Sequence, residues 1–205
     1  EKLRYYCTIL NHQHLAALNY QILFMNEIIE HVEKHDYSDV PPIVIYYQIL
    51  LTYKEPENDQ HYLHLKKLMA QHIHLFPEYE AKEIIDAALN YSIKRMNSGE
   101  EAYVREAFEL YQQSLENKLL LVNGQITPWS FKNIVTAGLR LSEFDWVEDF
   151  IHKFSAQLDK QYRDNAITFN LAQLYFYKKH YRNVIRQLSQ VEYEDITYNL
   201  NSKTL

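Results

Sequence analysis

The sequence predicts an all-α protein made of antiparallel helix pairs stacked on one another as a solenoid. Three observations predict this. Apolar residues recur at helical spacing through nearly every segment. Only 3 glycines and 5 prolines interrupt 205 residues, and Pro42, Pro77 and Pro128 stand where helices would begin, a place suited to a residue with fixed φ and no N–H. A spacing also repeats: Gly138 to Val147 and Tyr175 to Val184 are each 9 residues, and Val147 to Val184 is 37. A helix pair of this size cannot bury its own apolar face, so each pair must stack on a neighbour.

The elements follow in chain order. Residues 2–35 carry Leu15, Leu18, Ile22, Met25, Ile28, Ile29 and Val32 at helical spacing. This predicts one long helix, or two with a break near Asn11 to His14. The first pair spans 42–76. Its opening run, PIVIYYQILLTYK, is apolar on every side and must be buried; by composition it could be a strand, but its length and the flanking helices favour a helix. Glu55 to Asn58 breaks the chain, and Asp59 to Phe76 is amphipathic through Tyr62, Leu65, Leu68, Met69 and Ile73. The second pair spans 77–119, with Ser98-Gly99 as the stop after its first helix. Asn123-Gly124 marks a turn, and Thr127-Pro128 is an N-cap followed by a first-turn proline. The third and fourth pairs span 128–159 and 163–191. Residues 195–205 read as a further helix cut short, with Leu200 and Leu205 lacking a partner. The whole, 1–205, is expected to be one helical-repeat domain, and its start at Glu1 suggests a piece of a longer chain.

Within the last pair, Leu171, Ala172 and Tyr175 are followed by Val184 and Leu188, with Tyr181 opening the second helix. Ala172 would let two backbones approach while Tyr175 and Tyr181 fill the space beside it. The third pair carries Phe131, Ile134, Val135 and Gly138, then Val147 and Ile151; the second carries a looser set, Ile84, Ala87, Ala88 and Tyr91, then Ala107 and Tyr111. This order resembles the tetratricopeptide repeat family, whose period is about 34 residues, with Thr168 in the place of the motif's tryptophan. The resemblance implies a right-handed superhelix whose first helices line a concave face. The groove positions it implies are Trp129, Lys132, Thr136, Leu139 and Arg140, then Ala166, Phe169, Gln173, Phe176 and Tyr177. It further implies a non-catalytic scaffold that binds a protein or peptide partner there. The alternative is a ligand- or peptide-sensing regulatory domain of a larger protein. The Lys/Asn carboxylate clamp of chaperone-binding members is not reproduced, so a C-terminal carboxylate ligand is not implied. Self-association through the exposed ends of the solenoid is a further expectation.

Composition narrows the function classes. The net charge is -6 at pH 7, from 21 Lys plus Arg against 27 Asp plus Glu, which disfavours a general nucleic-acid or anionic-membrane surface. No apolar run is long enough to span a bilayer. The single Cys7 excludes an internal disulfide and any cysteine-rich zinc site, and a reducing, cytoplasmic setting is expected. The 10 histidines include His31/His35 and His61/His64 at one-face spacings, yet no third ligand accompanies them, and the lone Asp149/His152 pair lacks the second copy a di-iron centre needs. No metal or cofactor is expected. Gly99, Gly124 and Gly138 are too scattered for a phosphate loop, and no nucleophile elbow exists, so no catalytic residue is assigned. The 18 tyrosines suit helix packing with the hydroxyl at the edge, and some of them could anchor a peptide.

Overall fold

A computed structural model describes residues 1–16 and 21–189. Every regular element among them is helical: ten α-helices and two short 3-10 turns. The expected helix at 195–205, and Leu18 within the first expected helix, lie outside the described residues. The chain divides into two compact units, 1–99 and 100–205, so the boundary falls inside the pair read from sequence as 77–119.

The first unit holds α1 (Lys2–Ala16), α2 (Met25–Lys34), α3 (Pro41–Lys54), α4 (Asp59–His72) and α5 (Glu78–Asn97). Its centre is α3, which packs against α1, α4 and α5, and this explains why its sequence is apolar all round. Ile45, Ile49 and Leu50 of α3 meet a core that includes Tyr62, Leu65 and Ile84. Residues 2–35 form two helices, but the first runs through Asn11 to His14, where the two-helix reading put the break, and ends at Ala16. Asn11 is held there by a tertiary contact, its Oδ1 accepting from Asn90 Nδ2 at 3.2 Å, which offsets the weak helix preference of asparagine. Tyr62 and Tyr91 pack as amphipathic rings, with the ring buried. Tyr62 and Tyr91 stack at 4.9 Å, and the Tyr91 hydroxyl reaches the Pro56 carbonyl at 2.9 Å. Arg95 secures the same α3–α4 connection, donating to Glu57 and to Asp59 at 2.8 Å each.

The second unit holds α6 (Ala102–Glu116), α7 (Pro128–Arg140), α8 (Phe144–Phe154), α9 (Lys160–Tyr177) and α10 (Tyr181–Leu188). Before α7 the chain makes the tight turn announced by Asn123-Gly124, both at positive φ, with Val122 and Gln125 exchanging backbone bonds of 2.8 and 3.0 Å. Thr127 then caps α7, its hydroxyl accepting from the Ser130 N–H at 3.0 Å. Helix α7 packs against α6, α8 and α9, and α9 packs in turn against α8 and α10.

The repeated spacing has a backbone counterpart. Helix α7 ends with Ser142 at φ 61° and α9 ends with Lys179 at φ 60°. In each case the next N–H reaches back over the turn, Glu143 to Gly138 at 3.0 Å and His180 to Tyr175 at 2.8 Å. The following helix then buries a valine, Val147 or Val184. Left-handed turn and buried valine both recur at the same interval, so the two hairpins share one register. The small residues sit at helix contacts. Ala172 is fully buried, and a Cβ added to Gly138 would meet Val147 Cγ2 at 2.5 Å and Phe108 Cε2 at 3.1 Å. Tyr181 departs from the expectation. As the first residue of α10 it stays at the surface, its ring edge-on to Phe176 at 6.1 Å, and does not fill the space beside Ala172.

Candidate functional site

All ten residues assigned to the groove lie in the second unit, on α7 and α9. The cap at Thr127 fixes where α7 starts, and so places Trp129 on its outer face, 66% exposed. One turn on, Lys132 Nζ stands 5.9 Å from the centre of the Trp129 ring, a cation–π contact open to solvent. A further turn on, the Thr136 hydroxyl is turned back to the Lys132 carbonyl at 2.9 Å. Arg140 ends the column and is already paired, its Nη2 donating to Glu101 Oε1 at 2.7 Å. Leu139 is 1% exposed and belongs to the core.

On α9 the equivalent column turns inward over its first half. Ala166 is buried and Phe169 is 1% exposed, so neither offers a surface to a ligand. Gln173 is half-buried, and its Oε1 lacks a hydrogen-bond partner. Only at the end of the helix does the column reach solvent: Phe176 and Tyr177 are 40% and 41% exposed, with rings edge-on at 6.2 Å, and Tyr181 at 57% extends the cluster into α10.

Hydrogen bonds at the ends of α8 orient these columns. The Ile126 N–H, just before α7, donates to the Gln157 carbonyl, just after α8, at 3.0 Å. Arg163 near the start of α9 also reaches that end of α8, donating to the Ala156 and Leu158 carbonyls at 2.8 and 2.9 Å. At the other end Lys178, just after α9, bonds Glu148 in the second turn of α8 at 2.6 Å. The two first helices therefore run the same way, with α8 returning between them. Trp129 and Lys132 stand at one end of this layer, and Arg140, Phe176 and Tyr177 at the other. The exposed aromatics form two clusters, roughly the length of α7, about 18 Å, apart.

A further aromatic set escaped the sequence reading although its spacing was visible. Trp146, Phe150 and Phe154 fall four apart along α8 and stack as a ladder, with ring centres 5.4 and 5.1 Å apart. Phe108 of α6 meets Trp146 edge-on at 4.8 Å, and Phe131 of α7 meets Phe150 at 4.9 Å. This ladder is why α6, α7 and α8 hold together.

His31, His35, His61 and Cys7 each have partners within the chain. His31 and His35 stack at 4.2 Å, and the His31 ring nitrogen is taken by the Tyr37 hydroxyl at 2.9 Å. His61 lies between Gln48 at 3.0 Å and Glu55 at 2.8 Å. Among the described residues no group of three or more His, Cys, Asp or Glu is placed to hold a metal ion. Burial pushes the Cys7 thiol well above its ordinary range, and its Sγ donates to the Tyr46 carbonyl, so the thiolate that a nucleophile needs is suppressed. No described helix is long and apolar enough to cross a membrane. No protein-family model matches the chain, nor does any curated protein or solved structure.

Proposed function

We propose that this chain is a non-catalytic binding scaffold, a right-handed solenoid of tetratricopeptide-like helix pairs that takes a protein or peptide partner on the face of its first helices. The observation that carries the reading is the exposure of Trp129 on α7 and of Phe176 and Tyr177 on α9, three large rings left unburied on the helices that the repeat pattern assigns to the concave side. Rings of this kind cost little entropy to order and supply most of the energy of an interface. The recurrence of the turn at Ser142 and Lys179 supports the repeat pattern itself. Leu139 and Phe169, also on these helices, act in packing, so the partner's anchors are the two exposed clusters.

Peptides selected from a random display library on the folded chain provide the test. Their affinity is then measured by calorimetry against Trp129→Ala, Tyr177→Ala and, on the exposed side of α10, Arg186→Ala. The first two changes should each weaken binding by about 1–3 kcal/mol, and Arg186→Ala should leave it unaltered. Failure to select any saturable binder, or loss of binding only with Arg186→Ala, overturns the assignment.

A further inference from the structure

The first turns of α9 are echoed in sequence 36 residues on, from Asp159 to Asp195. DKQYRDNAITF over 159–169 and DITYNLNSKTL over 195–205 share Asp, Tyr, Asn and Thr at matching places, and set Ser202 against Ala166 and Leu205 against Phe169. The layer just before this echo has an open side. Helix α9 packs on α7 and α8, whose Ile134 and Ile151 are fully buried, but their counterparts 37 residues on, Leu171 of α9 and Leu188 of α10, are only half-buried. We propose that residues 195–205 occupy the open side of the α9–α10 layer as the first helix of a further pair, lying along α9 as α9 lies along α7.

The shared residues are those with structural work in α9. Asp159 caps that helix, its carboxylate accepting from the Gln161 N–H at 2.9 Å, and Asn165, Ala166 and Phe169 are buried. The echo thus supplies a cap in Asp195 and a buried stripe in Asn201, Ser202 and Leu205, three residues that share one helix face. Register also says which face turns outward. Ile196 and Leu200 fall at the places of Lys160 and Asp164, both exposed, so the docking face is not the one a reading of apolar residues alone would choose. Charge agrees with this occupant: α10 presents the exposed Arg182 and Arg186 and no carboxylate, and the chain that follows it carries Glu192, Glu194 and Asp195. Eleven residues of helix extend about 16 Å. Such a segment, running the same way as α9, reaches about the level of Leu171 and stops short of Phe176 and Tyr177, so the cluster assigned to a partner stays open.

The inference rests on the repeat register and needs no partner, so its failure leaves the peptide-selection test of the first-helix face untouched. Hydrogen exchange of the full chain, followed by mass spectrometry, tests it against an isolated peptide of residues 190–205. Amides 200–205 should exchange at least about tenfold more slowly in the chain than in the peptide. Two matched variants then read the register. Ser202→Arg sets a long cation at the place of buried Ala166 and should abolish the slow exchange and quicken that of α10, while α7 and α8 exchange as before. Leu200→Arg sets the same side chain at the place of exposed Asp164 and should leave the protection intact. The proposal is overturned if amides 200–205 exchange as fast in the chain as in the peptide, or if their protection survives Ser202→Arg or is lost with Leu200→Arg. It is also overturned if the protection fades on dilution while light scattering shows a dimer dissociating, which would make a second copy of the chain the occupant.

Discussion

Gly138 and Val147 meet across the α7–α8 hairpin with no room for a methyl group between them: a Cβ on Gly138 would fall 2.5 Å from Val147 Cγ2. Valine in a helix is fixed at χ1, and the other neighbour, Phe108, is pinned by Trp146, so neither can yield. Gly138→Ala should therefore destabilise the protein by about 1–2 kcal/mol, the overpacking cost exceeding the gain of roughly 1 kcal/mol that alanine brings to a helix. Urea denaturation measures it. Adding Val147→Ala should cost less than the sum of the two single changes; strict additivity would mean that the two residues do not touch.

Ala172 occupies the corresponding place in the next pair and is fully buried. Ala172→Leu should cost about 1–3 kcal/mol through overpacking, while Ala172→Gly should cost about 1 kcal/mol through helix propensity. An unchanged melting temperature for the leucine variant would remove Ala172 from the helix contact.

Ser142 and Lys179 hold φ near 60° without being glycine. That conformation costs an L-residue on the order of 1–2 kcal/mol and glycine almost nothing. Ser142→Gly and Lys179→Gly should each raise stability, by about 1 kcal/mol at most once the added freedom of the unfolded chain is counted. Thermal unfolding of the two variants and their combination checks this, and the effects should add.

Stability should fall in alkali. Burial raises the thiol of Cys7 and the phenols of Tyr46 and Tyr53, Tyr46 being raised further by its bond to Glu80. Each group is neutral when folded and free to ionise when unfolded, so its contribution is complete below the unfolded pKa and lost as pH rises past it. The loss begins near pH 8.5 with Cys7 and deepens above about pH 10 with the tyrosines. Cys7→Ala should lower stability at neutral pH and abolish the first phase of the alkaline loss. Iodoacetamide should modify native Cys7 only as fast as the chain opens.

The legible parts of the fold were those where local chemistry and packing agree. The all-round apolar run of α3 could only be a buried element, Thr127-Pro128 could only open a helix, and the spacing of Val147 and Val184 marked two matching hairpins. The first helix ran past Asn11 because Asn90 supports it, 79 residues away in sequence, which no local pattern reveals. The turns at Ser142 and Lys179 carried no glycine to announce them. The candidate face was half visible. Helical spacing places Leu139 and Phe169 on the same columns as Trp129 and Phe176, but a column of that length drifts round the helix, and packing of α7 against α9 decides which members are covered. The four-residue spacing of Trp146, Phe150 and Phe154 is visible in the sequence, but that spacing is shared by any buried helix stripe, and only the packing shows the three rings stacked on one another.

The matching turns at Ser142 and Lys179 also bear on how such a chain changes length. Because the backbone leaves both positions in the same conformation, and a buried valine follows each at the same distance, joining Ser142 directly to His180 preserves the dihedral angles and the closing hydrogen bond of the turn. Residues 143–179 thus form a cassette with interchangeable ends. Losing or gaining that block keeps the turn's backbone conformation and the spacing from turn to buried valine, whereas an indel of another size between turn and valine would put the two out of step.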